Sequence, residues 1–338
     1  MKYSPILRTL AATAIVLTIA VSSVFSQTAS STTPVSNPEL APAIKLLSQD
    51  EVKKALDLLK KAVKKNDADG EAWYYIGVAY LRQNDFKKGA EAFNKAIQRR
   101  PDLAASTHAA FAYALVLRNR LDQALISANM ALGRDSQNIE ALYTLGIVDL
   151  RRGARQEAVQ KADKIIALKP DFAAAYLLKS QAFVSAGNAF NPAAESNDER
   201  KARYRQAVQA LEKYLQLETD PRVAESWKTQ LENLKFHSGD AGNIYIGRDV
   251  TTKVKLISKP EPVYTAAARN EQVVGTVVLK CVFASDGTVK HILVVRALPG
   301  GLTERAIEAA KKIKFHPAMR DGQPVSMWMQ LEYNFNLH

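Results

Sequence analysis

Between residues 38 and 236 the chain repeats itself at an interval of about 34 residues. The clearest unit, residues 70–103, carries Trp73, Ile76-Gly77, Tyr80, Phe86, Gly89, Phe93, Ala96 and Pro101. After a one-residue slip follow His108, Phe111-Ala112, Leu115, Leu121, Ala124, Ala128 and Ala131, then Leu142, Leu145-Gly146, Ala158, Ala162, Ile165 and Pro170. A fourth unit opens at Tyr176 and Ser180, is interrupted by a polar insertion near 188–200, and resumes at Ala207, Leu211 and Tyr214. Ala55, Leu59 and Ala62 are the second half of a degenerate first unit, and Val223–Leu234 with Trp227 reads as a capping helix. Each unit alternates small and large apolar residues at helical spacing. Gly77, Ala112 and Gly146 let two antiparallel helices approach, while Trp73, Tyr80 and Phe93 fill the space between neighbouring hairpins. Pro101 and Pro170 end the second helix, because proline cannot continue one. No hairpin of this kind buries its apolar face alone, so the units must stack into a solenoid.

This pattern resembles the tetratricopeptide family. In that family the first helix of each hairpin lines a concave groove, which implies Glu71, Tyr74, Val78, Tyr113, Tyr143, Ile147, Leu177 and Gln181 as partner-binding positions. Tyrosine suits such a surface, offering apolar area and a hydrogen-bonding tip at small entropic cost. Packing between repeats is the alternative use of the same residues.

Beyond a polar linker, residues 237–253, the period becomes that of strands. Residues 276–283 (TVVLKCVF) and 289–295 form two strands joined by a turn at Ser285-Asp286-Gly287. Residues 302–313 read as a helix, with Thr303 as its cap, Glu304 at the positive end and Lys311-Lys312 at the negative end. The last segment alternates: Met327, Met329, Leu331, Tyr333 and Phe335 share one face, and Trp328, Gln330, Glu332 and Asn334 the other. Such a strand packs one face on the helix bearing Ala306, Ala310 and Ile313, and its free edge is a template for pairing.

Here the residues carry a second resemblance, to the TonB C-terminal domain. It rests on Pro262-x-Tyr264, Ala268-Arg269, Gly275-Thr276-Val277, Asp286-Gly287-Thr288-Val289, Ala306, Ala309-Ala310, Phe315-x-Pro317 and Tyr333-x-Phe335. The resemblance implies a small α+β domain, an antiparallel sheet with packed helices, that grasps an extended peptide of an outer-membrane or envelope partner by strand addition. It places partner binding at Pro262, Tyr264, Arg269, Gln330, Glu332 and Asn334, and it implies inner-membrane motor proteins as further partners. Thr265 stands where the family's motif has a second proline, and the N-terminal apolar segment lacks the histidine of the family's anchor helix.

That segment begins with Lys2 and Arg8, followed by apolar residues 9–25 and no charge before Glu39. It reads as a signal peptide, residues 1–26, or as an uncleaved inner-membrane anchor. Either reading makes the protein exported and periplasmic. Residues 27–37 (QTASSTTPVSN) are a short linker, residues 38–236 the helical-repeat domain and 254–338 the terminal domain. The fold class is therefore multidomain, an all-α solenoid followed by a small α+β domain.

Catalytic signatures are missing from the sequence. The histidines at 108, 237, 291, 316 and 338 have no metal-ligand spacing, and His108 occupies a repeat core position. The single cysteine, Cys281, lies in an apolar strand and reads as a small buried hydrophobe. No enzyme activity, cofactor, metal or small-molecule substrate is expected. The net charge of +12 favours anionic surfaces, but its lysines and arginines form no five-residue block, so nucleic acid is not expected. Two functions remain in view. One is a TonB-like adaptor with a role in TonB-dependent transport, and the other a periplasmic scaffold for envelope complex assembly without energy transduction.

Overall fold

A computed structural model describes residues 37–101, 105–185, 195–239 and 244–337. The expected signal or anchor segment and almost all of the first linker lie outside these residues. Two compact units divide the described chain: one takes in Arg151–Arg155 and Lys179–His338, the other the described residues through Leu150 together with Gln156–Leu178.

Thirteen α-helices are found among the described residues. A 3-10 turn at Pro38–Leu40 leads into α1 (Ala41–Ser48), paired in sequence with α2 (Val52–Lys65). The hairpins α3 (Gly70–Arg82)–α4 (Phe86–Arg99), α5 (Ala105–Leu117)–α6 (Leu121–Arg134) and α7 (Ile139–Arg151)–α8 (Arg155–Leu168) follow. The residues that break the first helix of each hairpin have positive φ and recur in step with the repeat: Asp50 at 61°, Asn84 at 59°, Asn119 at 57° and Gly153 at 75°. These are residue types that tolerate the left-handed region, so the turn is written locally in these four hairpins. Asp69 and Asp85 cap the next helices by accepting from the amides of Ala72 (2.9 Å) and Lys88 (3.1 Å).

The expected close approaches are present. A Cβ on Gly77 would lie 2.6 Å from the Phe93 ring, and one on Gly146 would lie 2.5 Å from Leu178, so both positions require glycine. Phe93, Leu59, Ile76, Leu81, Ile165 and Leu178 are completely buried in one continuous core.

The other unit holds α10 (Asn197–Leu217), α11 (Pro221–Ser238) and the terminal domain, with α9 (Ala173–Val184) divided between the two units. The boundary expected after residue 236 falls inside α11, whose last residues His237 and Ser238 are buried helix rather than linker. The terminal domain contains β1 (Ile244–Tyr245), β2 (Lys255–Ser258), α12 (Ala266–Asn270), β3 (Gly275–Phe283), β4 (Val289–Arg296), α13 (Leu302–Lys311), β5 (Lys314–His316), β6 (Ala318–Arg320) and β7 (Gln323–Phe335). The main sheet runs β1-β7-β3-β4, with β6 also on β7, and β2 pairs with β5 apart from it. β3 and β7 are antiparallel from Gly275↔Phe335 to Phe283↔Met327. As the alternation requires, Leu331, Tyr333 and Phe335 are buried with Ala306, Ala310 and Ile313, Met329 packs half-buried against them, and Met327 is buried on the same strand face. Asp321 and Gly322, at φ 51° and 78°, make the tight turn that returns β6 into β7.

One local expectation is corrected. Thr303 does not cap α13: Gly301, at φ 79°, occupies that position without a side-chain bond. Thr303 is buried instead, and its hydroxyl bonds both the amide and the carbonyl of Leu298 at 2.9 Å, tying the helix to the end of β4's connection.

Candidate functional site

Two surfaces were expected to bind partners, and the structure treats them differently. On the solenoid, the proposed groove positions Glu71, Val78, Tyr113, Tyr143 and Leu177 are all buried, Tyr113 at 2% exposure and Tyr143 at 5%. Tyr74, Ile147 and Gln181 keep partial exposure. The reason is ring packing along the inner helices: Tyr113 lies 6.2 Å from Tyr143, and Tyr143 meets Phe172 edge-on at 5.8 Å. Tyr74 stands edge-on to Tyr75 at 5.2 Å and 5.7 Å from Phe93. Burial, and then the Glu140 carboxylate, push the Tyr74 phenol above its ordinary range. Glu71 is held by a nearer duty, accepting from the Asn37 amide at 3.2 Å where the chain enters the first hairpin. Tyr113, Tyr143, Val78, Leu177 and Glu71 are thus corrected from groove-lining to packing positions. Gln181 belongs to the other compact unit.

On the terminal domain, β7 is paired on one side by β3 from Met327 to Phe335. Its other strand pairings among the described residues are with β6 at residues 323–325 and with the parallel β1 at Ser326 and Met327, so no strand besides β3 reaches residues 328–335. Gln330, Glu332 and Asn334 are exposed. The Glu332 carbonyl accepts from Lys259 Nζ at 2.9 Å, so it points away from β3. In an antiparallel strand the amide and carbonyl of one residue point the same way and alternate residue by residue. Gln330, Glu332 and Asn334 therefore present both groups along the open edge. Lys259, which the sequence did not single out, bonds the edge carbonyl with its ammonium and lies 4.7 Å over the Tyr333 ring. Charged side chains at an edge are a recognised guard against unwanted pairing.

The other expected residues gather at the end of this edge. Tyr264 meets Phe335 edge-on at 5.6 Å, its hydroxyl donates to the Val273 carbonyl, and the Arg269 guanidinium sits 5.8 Å from its ring. Burial raises the Tyr264 phenol, with Arg269 opposing. Tyr264 is mainly a packing residue, while Pro262 beside it is half-buried and Arg269 exposed. Thr265, the departure from the family's proline, caps α12 by accepting from the Ala268 amide at 3.0 Å and also donates to the Gly300 carbonyl. A threonine here gains bonds that proline could not make.

Among the described residues, Cys281, His108 and Asp286 have pKa shifts with local structural causes. Burial pushes the Cys281 thiol up to about 12, and its sulfur sits 3.7 Å from the Met329 carbonyl, so it is a packing residue. His108 is buried at its core position and lowered by burial and by Arg134. Asp286 is held at about 2 by Lys290 and Thr288 within its own turn. Among the described residues, no group of three or more His, Cys, Asp or Glu is placed to hold a metal ion, and no helix is long and apolar enough to cross a membrane.

A stacked helical-repeat array carrying a small α+β domain with one open strand edge defines a protein-interaction adaptor. The two family matches agree in class. Residues 260–337 match the family described as Gram-negative bacterial TonB protein C-terminal, and residues 41–104 match the tetratricopeptide repeat. Each match covers part of the chain, and both are to protein-interaction families that are not catalytic. Among curated proteins it is similar to the BBSome complex member BBS4 of Bos taurus, 28% identical over 119 residues, or 35% of this chain and 22% of that protein. The chain thus spans about a fifth of that relative. Among solved structures it is similar to YrrB, a TPR protein with an unusual peptide-binding site, at 19% identity, covering 62% of this chain and 97% of that one with a TM-score of 0.39. It is also similar to pilF of Pseudomonas aeruginosa at 14% identity, covering 60% and 82%, with a TM-score of 0.47.

Proposed function

We propose that this protein is an exported, TonB-like adaptor whose terminal domain takes an extended segment of an outer-membrane or envelope protein by strand addition on β7. The observation that carries this reading is the edge from Gln330 to Asn334, whose outward main-chain groups meet a lysine side chain and no strand among the described residues. An incoming strand displaces Lys259 from the Glu332 carbonyl and pairs with the outward groups of residues 330, 332 and 334. Polar side chains at these positions keep the free edge soluble while main-chain bonds supply affinity. The half-buried Tyr74 and Ile147 mark where a second partner meets the solenoid. The adaptor serves TonB-dependent transport, with inner-membrane motor proteins as further partners, and it is periplasmic.

Glu332→Pro tests the site. It removes an outward amide and leaves the ladder to β3 intact, because the donors to β3 belong to the odd-numbered residues. Calorimetry with a synthetic peptide of the N-terminal extended segment of an outer-membrane transporter should show binding by the parent chain and none by the variant, at an unchanged melting temperature. Binding that survives in the folded variant moves the site to Pro262–Arg269. No binding by either chain favours the scaffold without energy transduction. Intact-mass analysis of membrane-extracted protein tests export and distinguishes a cleaved from a retained segment 1–26.

A further inference from the structure

The sheet has a second edge, β4, and it is closed by a helix instead of a strand. Three side chains on one face of α11, Gln230, Asn233 and His237, reach its main chain. Gln230 accepts from the Val294 amide at 3.3 Å and donates to the Ile292 carbonyl at 3.4 Å. Asn233 donates to that carbonyl at 2.8 Å, and His237 Nε2 lies 2.7 Å from the His291 carbonyl. Adjacent carbonyls of a regular strand point to opposite sides, so one helix could not meet both. A bulge makes it possible: Lys280 pairs with Leu293 and Val282 with Lys290, so that His291 and Ile292 together oppose Cys281. His291 takes φ 50° to do so. Its ring then stacks flat on Phe236 at 3.5 Å and 7°. β4 is shaped to receive this helix.

The grip is polar and electrostatically uneasy. His237 is buried, and its Nδ1 has no hydrogen-bond partner. Facing it are Lys280 of β3, His291 of β4, Arg200 and Tyr204 of α10, and Trp328 of β7. The charged groups among them are cations. Lys280 is itself enclosed between Tyr204 (5.4 Å) and Trp328 (5.2 Å), near Arg200 and Arg203, with Glu195 opposing them. We infer that α11 is a releasable latch on the β4 edge, and that protonation of His237 opens it. A protonated imidazole would be a buried charge among cations, with only the His291 carbonyl to satisfy it.

The direction with pH follows. Burial, ahead of the neighbouring cations, holds His237 down at about 3 while the helix is docked. Released, the ring returns towards its ordinary value of about 6.5. The His237 contribution to docking is thus at full strength above about pH 6.5 and weakens as pH falls towards 3. His291, lowered by burial and then by Lys290, acts in the same sense. Lys280, held at about 7 by burial and then by Arg200 and Arg203, is enclosed by groups of α10 and β7, and below that pH it stands beside His237 as a cation. Below pH 7 the histidines govern the latch. Release leaves the His291 and Ile292 carbonyls and the Val294 amide open, an edge ready for an extended main chain. This inference is independent of what binds β7.

Hydrogen exchange on the full chain tests it, read at the Val294 amide after correction for the intrinsic rate. Protection should fall at least tenfold between pH 7.5 and pH 5.5, with helix content by circular dichroism unchanged. His237→Gln, which keeps a donor for the His291 carbonyl without the titration, should lose most of that shift. His291→Asn, a residue that tolerates the left-handed bulge, should keep most of it. Gln230→Ala with Asn233→Ala should lower Val294 protection at both pH values. Equal protection at both pH values in the parent chain, or a full shift surviving in His237→Gln, overturns the histidine release. Unchanged protection in the double alanine variant overturns the latch.

Discussion

The inner helices of the solenoid and the last strand of the sheet use their residues in opposite ways. At the first, large side chains meet one another across neighbouring helices, and the tyrosines suited to a ligand are taken up in packing: Tyr113, Tyr143 and Phe172 form a chain of ring contacts. At the second, the side chains are divided between a buried face and a polar face, while the main chain points in a third direction that neither face covers. A helix satisfies its own amides and carbonyls internally, so a helical surface binds only through side chains that packing leaves over. An edge strand cannot satisfy its own, and its binding capacity survives a fully packed core. The open site is therefore on the small domain, although the repeats fill most of the chain.

The largest expected effect falls on the packed region. Tyr143→Ala should destabilise the solenoid by about 3 kcal/mol or more, read by urea denaturation, because it removes a buried ring from between two others. A loss under about 1 kcal/mol would mean that the position is open enough to serve as groove after all. Gly77→Val should cost about 2 kcal/mol by driving a side chain into Phe93, without altering any property of the isolated sheet domain. Glu332→Pro reverses the pattern: stability changes by less than about 1 kcal/mol while strand pairing is lost. A melting temperature that drops as far as in Tyr143→Ala would show that β7 is held from both sides. The smallest effect is Lys280→Met. The parent chain loses stability as pH falls from about 10 to 7, since the unfolded lysine takes up its proton before the enclosed one does. That slope, about 1 kcal/mol or less after allowance for solvent and for the two facing rings, should be flat in the variant.

Much of this was legible in the residues. The repeat is written redundantly, in glycines that face large side chains, in aspartate caps and in a left-handed residue after each first helix, so a single slip near residue 104 does not hide it. The sheet domain was legible through strict alternation in β7 and the turn signal at Asp286-Gly287; the Asp321-Gly322 turn, equally plain in the residues, was not read. What failed to show was which neighbour covers which face. Periodicity says that Tyr143 points inward along the stack, but not that another ring waits there. Gln230, Asn233 and His237 share a helix face, yet a polar stripe ordinarily reads as a solvated one. The bulge at His291 has no glycine to announce it. Lys259 was one lysine among many until the Glu332 carbonyl was found beside it.

Residue-resolved amide exchange along residues 329–335 of the full chain tests, without any ligand, whether β7 has one edge free. The amides of Leu331 and Tyr333 face β3 and should be strongly protected, whereas those of Gln330, Glu332 and Asn334 should exchange at nearly unprotected rates. Addition of a strand-forming peptide should then slow the even-numbered set alone. Uniform protection along β7 before any peptide is added would contradict the account, because it would mean that the edge is already covered.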